Sequence, residues 1–147
     1  MKDGPWRVRG IRGAISVERD EADAIVSATK RLLTEMLTRN GVELDDIASV
    51  LFSLTRDLHA GFPALAAREM GWVHVPMLHF TEIDVPGALD HCIRVLMHVN
   101  TSRALQEVEH VYLDKAAALR PDLAKRVGDP SGLAARGATK PVGRSAG

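Results

Sequence analysis

Cysteine occurs once in the 147 residues, at Cys92. One thiol cannot build an internal disulfide framework, and it suits a reducing compartment. Net charge is missing as well: 19 basic side chains balance 19 acidic ones. A nucleic-acid binder usually carries a basic surplus, so no nucleic-acid partner is expected. No apolar run is long enough to span a membrane, and the opening MKDGPWRVRG lacks the apolar stretch of a signal peptide. These absences place the chain in the cytoplasm. What remains is 46% hydrophobic and 26% charged, an ordinary composition for one globular domain with a packed core.

Motifs for the commonest chemistries are also missing. Gly132-Leu-Ala-Ala-Arg-Gly137-Ala-Thr139 has the glycine spacing of a phosphate loop but no lysine after the second glycine. No serine sits in G-x-S-x-G. The six histidines form no H-E-x-x-H, and no Cys-x-x-Cys exists, so no metal is expected. His91 and Cys92, read as strand neighbours, should face opposite ways and share no ion.

The positive signals are periodic. Val8 to Val17 alternates with period two and reads as a strand. Asp20 is a candidate N-cap for a helix whose apolar positions run from Ala22 to Leu37, and Asn40-Gly41 ends it. Further strands are expected at Ala48–Thr55, Trp72–Phe80, Cys92–Val99 and Val108–Leu113, with a short helix at Pro63–Met70. The Val75-Pro76 step marks an edge or a break in pairing. Thr81–Leu89 reads as a connection and Arg120-Pro121 as a turn. Residues 1–5 read as a flexible start, 6–125 as the domain, and 126–147 as a disordered tail with five of the twelve glycines and a charge of +3. Few connections are long enough for a βαβ series. The pattern therefore predicts an α+β fold, a mixed sheet with helices packed on one face.

Three arginines sit in unusual settings. Arg12 lies in a strand of small and apolar residues, Arg94 inside Cys92-Ile93-Arg94-Val95-Leu96-Met97, and Arg68 on the short helix. Burying a guanidinium in a strand centre is costly unless an anion compensates it. Glu82 is a candidate internal partner, and a dianionic ligand a candidate external one, because guanidinium forks match carboxylates. The plain alternative is that each arginine sits at a rim and extends to water. Glu82 alone would read as a solvated loop residue, and Tyr112 alone as a half-buried strand aromatic.

Ordered along the chain, these residues resemble the small trimeric α/β chorismate mutases, a class distinct in fold from the all-helical one. The resemblance runs from about Val8 to about Leu123. It rests on Arg9-Gly10-Ile11-Arg12-Gly13-Ala14 with Val17-Glu18-Arg19-Asp20, on Asp57-Leu58-His59-Ala60 with Phe62-Pro63-Ala64, on Glu82-Ile83-Asp84-Val85, on Cys92-Ile93-Arg94-Val95, and on His110-Val111-Tyr112-Leu113 with Leu119-Arg120-Pro121-Asp122-Leu123.

The resemblance implies conversion of chorismate to prephenate without a cofactor, in a homotrimer with a pseudo-barrel core and active sites between subunits. Arg12 would bind a carboxylate. Arg94 would contact the ether oxygen, Glu82 would orient Arg94 and accept the substrate hydroxyl, and Tyr112 would close the pocket. Phe62, Ala64 and Arg68 would form a wall from the neighbouring subunit, joined by Leu78 and His79. Leu119 and Arg120 would belong to a C-terminal closure. The chain departs from the family at His79, where a cysteine is common, at Leu65, where a lysine is common, and at Leu78, often a small polar residue. Two rival readings are a trimeric imine deaminase of related fold, whose motif text is missing here, and a binding module that keeps the fold without the chemistry.

Overall fold

The computed structural model describes residues 4–120. The expected tail, the end of the 6–125 domain and the Pro121 turn lie outside the described residues. Five strands, β1 (Arg7–Ser16), β2 (Ile47–Leu54), β3 (Met77–Thr81), β4 (Cys92–Thr101) and β5 (Val111–Leu113), form one sheet in the order β3-β2-β4-β1-β5. β4 is antiparallel to both β1 and β2, while β3 and β5 run parallel to their neighbours at the two edges. The sheet is mixed and its two α-helices share one face, as the sequence predicts.

That face is set by alternation. Ile11 and Ile15 of β1, Val50, Phe52 and Leu54 of β2, and Ile93, Val95, Met97 and Val99 of β4 are all buried. They meet the long helix α1 (Ala22–Asn40), which buries Ile25, Ala28, Leu32, Leu33 and Met36 at helical spacing. Gly13 lets α1 lie close on β1, because a Cβ there would overlap the Met36 sulfur and crowd Leu32. Gly41 ends the helix at φ 60°, and the Val42 N–H returns to the Leu37 carbonyl. Asn40, buried at that end, donates to the Met36 and Glu109 carbonyls and accepts from the Glu109 N–H. It thereby ties the segment leading into β5 to the helix.

The other face carries no α-helix among the described residues; only a 3-10 helix at Asp114–Leu119 covers its end, over Ala14, Cys92 and Tyr112. Val8, Arg12, Leu51, Leu78, Phe80, Arg94, Leu96 and His98 point to it by strand register. Leu78 is 60% and Phe80 51% exposed there.

Several expectations need correction. Asp20 is not the N-cap of α1. Glu21 is, without a side-chain cap bond, and Asp20 instead accepts the N–H groups of His59 and Ala60, at 2.9 Å each. The strand expected at Trp72–Phe80 begins only at Met77. Trp72 turns into the core beyond the second helix, α2 (Pro63–Glu69), and Pro76 contributes only its carbonyl, which accepts the Val50 N–H. The strand expected from Val108 begins at Val111, because residues 105–107 form a helical turn. His91 is not a strand residue: it precedes β4 at φ 46°, so strand alternation does not separate it from Cys92.

Candidate active site

β1 and β4 place Arg12 and Arg94 on the open face as diagonal neighbours. Arg12 pairs with Leu96, and Arg94 with Ala14 two residues along. β5 brings Tyr112 beside Ala14, and its ring lies under the Arg12 guanidinium, whose carbon is 5.8 Å from the centroid. Arg12, Arg94 and Tyr112 line one cavity of about 360 Å³, together with Ser53, Phe80 and Leu96.

Glu82 follows directly on β3. Its N–H donates to the Leu54 carbonyl at 2.8 Å, extending the pairing with β2 by one bond. Its carboxylate approaches Arg94 Nε at 3.2 Å. This is an ion pair and not an aligned hydrogen bond, since the Arg94 Nε–H has no hydrogen-bond acceptor. The other Glu82 oxygen accepts from the Ser53 hydroxyl. Ser53 pairs with Arg94 across β2 and β4, so serine, carboxylate and guanidinium form a chain of contacts from one strand to the next. Arg94 lines both the 360 Å³ cavity and a smaller one of about 150 Å³ that holds Glu82. The guanidinium thus stands between its carboxylate and the larger space. Two buried polar atoms of this group, Arg94 Nε and the Tyr112 hydroxyl, lack an aligned hydrogen-bond partner, and the Glu82 charge offsets the first.

The sequence profile of chorismate mutase type I matches residues 8–123. The chain belongs to this family. It is 48% identical over 117 residues to chorismate mutase AroH of Bacillus subtilis, covering 79% of this chain and 92% of that protein. It is 50% identical over 117 residues to chorismate mutase AroH of Thermus thermophilus, covering 79% and 96%. A solved chorismate mutase from Clostridium thermocellum superposes with a TM-score of 0.73 at 51% identity, covering 74% of this chain and 97% of that one.

The remaining site residues expected of a type I chorismate mutase lie elsewhere in the protomer. Phe62 precedes α2 and is 68% exposed. It lines a separate open cavity of about 840 Å³ with Pro63, His79, Arg56 and His59. Arg68 is exposed on α2. Ala64 is buried in the core, and its backbone N–H donates to His79 Nε2. Leu78 and His79 point to opposite faces of β3: Leu78 to the open face beside Leu51, His79 beneath α2. Burial and the nearby Arg68 both lower the His79 pKa. Leu119 packs on a small buried cluster of Ala14, Cys92, Tyr112 and Ala116, and Arg120 follows it, half-buried. The structure therefore brings Arg12, Arg94, Glu82 and Tyr112 together and holds Phe62, Arg68 and His79 at a second place.

Ser53 and Phe80 escaped the sequence reading. Ser53 belongs to the Val50–Leu54 run, and its link to Glu82 appears only once β2, β3 and β4 are paired. Cys92 offers no nucleophile: burial pushes its thiol up to about 11, despite the opposing charge of Arg94. Among the described residues, one group converges closely enough to hold a metal, Asp57, Asp90 and His91. Asp57 is already engaged there by the Thr55 hydroxyl and the His91 N–H.

Proposed function

We propose that the chain converts chorismate to prephenate, a step of aromatic amino-acid biosynthesis leading to phenylalanine and tyrosine, in a cytoplasmic homotrimer whose active sites lie between subunits. The observation that carries the reading is Arg94, held by Glu82 on one side and facing the cavity of Arg12 and Tyr112 on the other.

The reaction is a concerted rearrangement that transfers no proton and needs no nucleophile. As the ether C–O bond breaks ahead of C–C bond formation, negative charge gathers on the ether oxygen. A cation fixed at that oxygen binds the transition state more tightly than the ground state. Arg94 fills this role, and Arg12 grips a carboxylate. Together they hold the substrate as a compact chair with its reacting carbons close. Glu82 limits the cost of burying Arg94 and accepts the substrate hydroxyl.

The trimer is supported by two features. A protomer leaves an apolar sheet face uncovered at Leu78 and Phe80. It also keeps the Phe62 wall in a different cavity from the arginines, so a neighbouring subunit would complete each pocket. The test is an assay of chorismate loss with prephenate appearance on purified protein, alongside sedimentation. Prephenate formation by a trimer is expected. Imine hydrolysis without chorismate turnover, or tight chorismate binding without product, would overturn the assignment.

A further inference from the structure

His79 is held on three sides. Its ring stacks on Phe52 with centroids 5.3 Å apart and planes 21° apart. It meets Phe62 at 5.2 Å and 49°. The Ala64 backbone N–H donates to His79 Nε2 at 3.1 Å. A ring nitrogen that accepts carries no proton, so the neutral imidazole keeps its hydrogen on Nδ1.

The Ala64 N–H belongs to the first turn of α2, where amides have no intrahelical acceptor. Phe62, the N-cap residue, supplies no side-chain cap bond. The imidazole therefore serves the first turn as a cap side chain would, from another element. The same ring is the surface on which the exposed Phe62 rests.

We propose that His79 is a positioning residue for the substrate pocket: its neutral ring anchors the first turn of α2 and holds Phe62 in place, so acid loosens this wall and weakens substrate binding without altering the chemical step. The proposal rests on the reading that Phe62 lines the chorismate pocket.

The surroundings favour the neutral ring. Arg68 faces it from α2, and Arg56 and His59 share its cavity from the segment between β2 and α2. β2 offers Phe52, and β3 offers Leu78 and Phe80 on either side, none of them titratable. Among the described residues no carboxylate lines the cavity to stabilise an imidazolium. A proton on Nε2 would set donor against donor at Ala64, and the ring would have to turn away.

Steady-state kinetics between about pH 8 and about pH 4.5, a range carried below ordinary histidine titration because burial and Arg68 shift His79 down, test the proposal. KM for chorismate should rise roughly three- to tenfold toward acid, the worth of one hydrogen bond, with kcat nearly level. In His79→Gln the amide oxygen can still accept from Ala64 but does not titrate, so its KM should stay near the alkaline wild-type value throughout. His79→Ala should show a raised KM at every pH. Nitrogen NMR of the wild-type protein at about pH 8 should find the hydrogen on Nδ1. A KM for His79→Gln that climbs in acid as the wild type does, or a hydrogen found on Nε2, would overturn the proposal. A wild-type protein that turns over chorismate with a pH-independent KM sinks this proposal alone. A wild-type protein with no turnover at about pH 8 sinks the functional reading and this one with it.

Discussion

Ser53 shows how one side chain can serve a reaction it does not touch. Its hydroxyl donates to one Glu82 oxygen while the other oxygen faces Arg94, so the carboxylate cannot rotate without losing a contact. Ser53→Ala should lower kcat by roughly five- to thirtyfold, or about 1–2 kcal/mol, part of the worth of a hydrogen bond to a charged group because Ser53 acts through Glu82, with a smaller change in KM. Ser53→Thr should recover most of the loss, because the hydroxyl survives; equal kcat in Ser53→Ala and the wild type would remove Ser53 from the account. Arg12, Arg94, Glu82 and Tyr112 were legible together only through the family resemblance; the cost of a buried guanidinium applies only in part, since Arg94 is half-buried but Arg12 is exposed. Ser53 carried no such signal: a lone serine in an apolar run is common, and its meaning depends on strand pairing.

The elements were legible where period and burial agree. β1, α1 and β4 each bury one face at the expected period, though the end of β1 is covered on both sides, and their bounds shifted by only a few residues. The segment from Trp72 misled because its apolar residues look like a strand, while Trp72 itself fills the core and Pro76 cannot donate to a ladder. Asp20 misled because aspartate caps helices well, yet here it captures two amides of the 59–60 loop. Gly13 gives the element scale its sharpest prediction. Any Cβ there meets the Met36 sulfur and Leu32 from α1. Gly13→Ala should destabilise the fold by about 1–3 kcal/mol as α1 is pushed off β1. Denaturant midpoints check this, and an unchanged midpoint would mean that α1 yields freely. That the Phe62 wall would come from a neighbouring subunit is implied by the family resemblance alone, because no local pattern encodes how protomers would meet.

For the whole molecule, the open sheet face and the divided site point to assembly. Leu78→Asp or Phe80→Asp should leave a folded protomer that sediments as a monomer and has lost most of its activity; a monomer with full turnover would contradict the shared pocket. Stability should also depend on acid. Burial raises the Asp57 pKa, but the Thr55 hydroxyl, the His91 N–H and the His91 ring outweigh it, so the carboxyl sits below its ordinary value of 3.8. A depressed carboxyl stabilises the fold above its unfolded pKa, and that contribution is lost as pH falls through the folded value. Melting temperatures should therefore drop below about pH 4, and Asp57→Asn should flatten that drop. The account stands or falls on fixed positive charge at the breaking bond, and chorismate turnover by Arg94→Ala tests it most directly. A fall in kcat of roughly a hundredfold or more, in a variant that keeps the wild-type circular dichroism and sedimentation, is the predicted result. Turnover within a few-fold of the wild type, in a variant equally well folded, would contradict it.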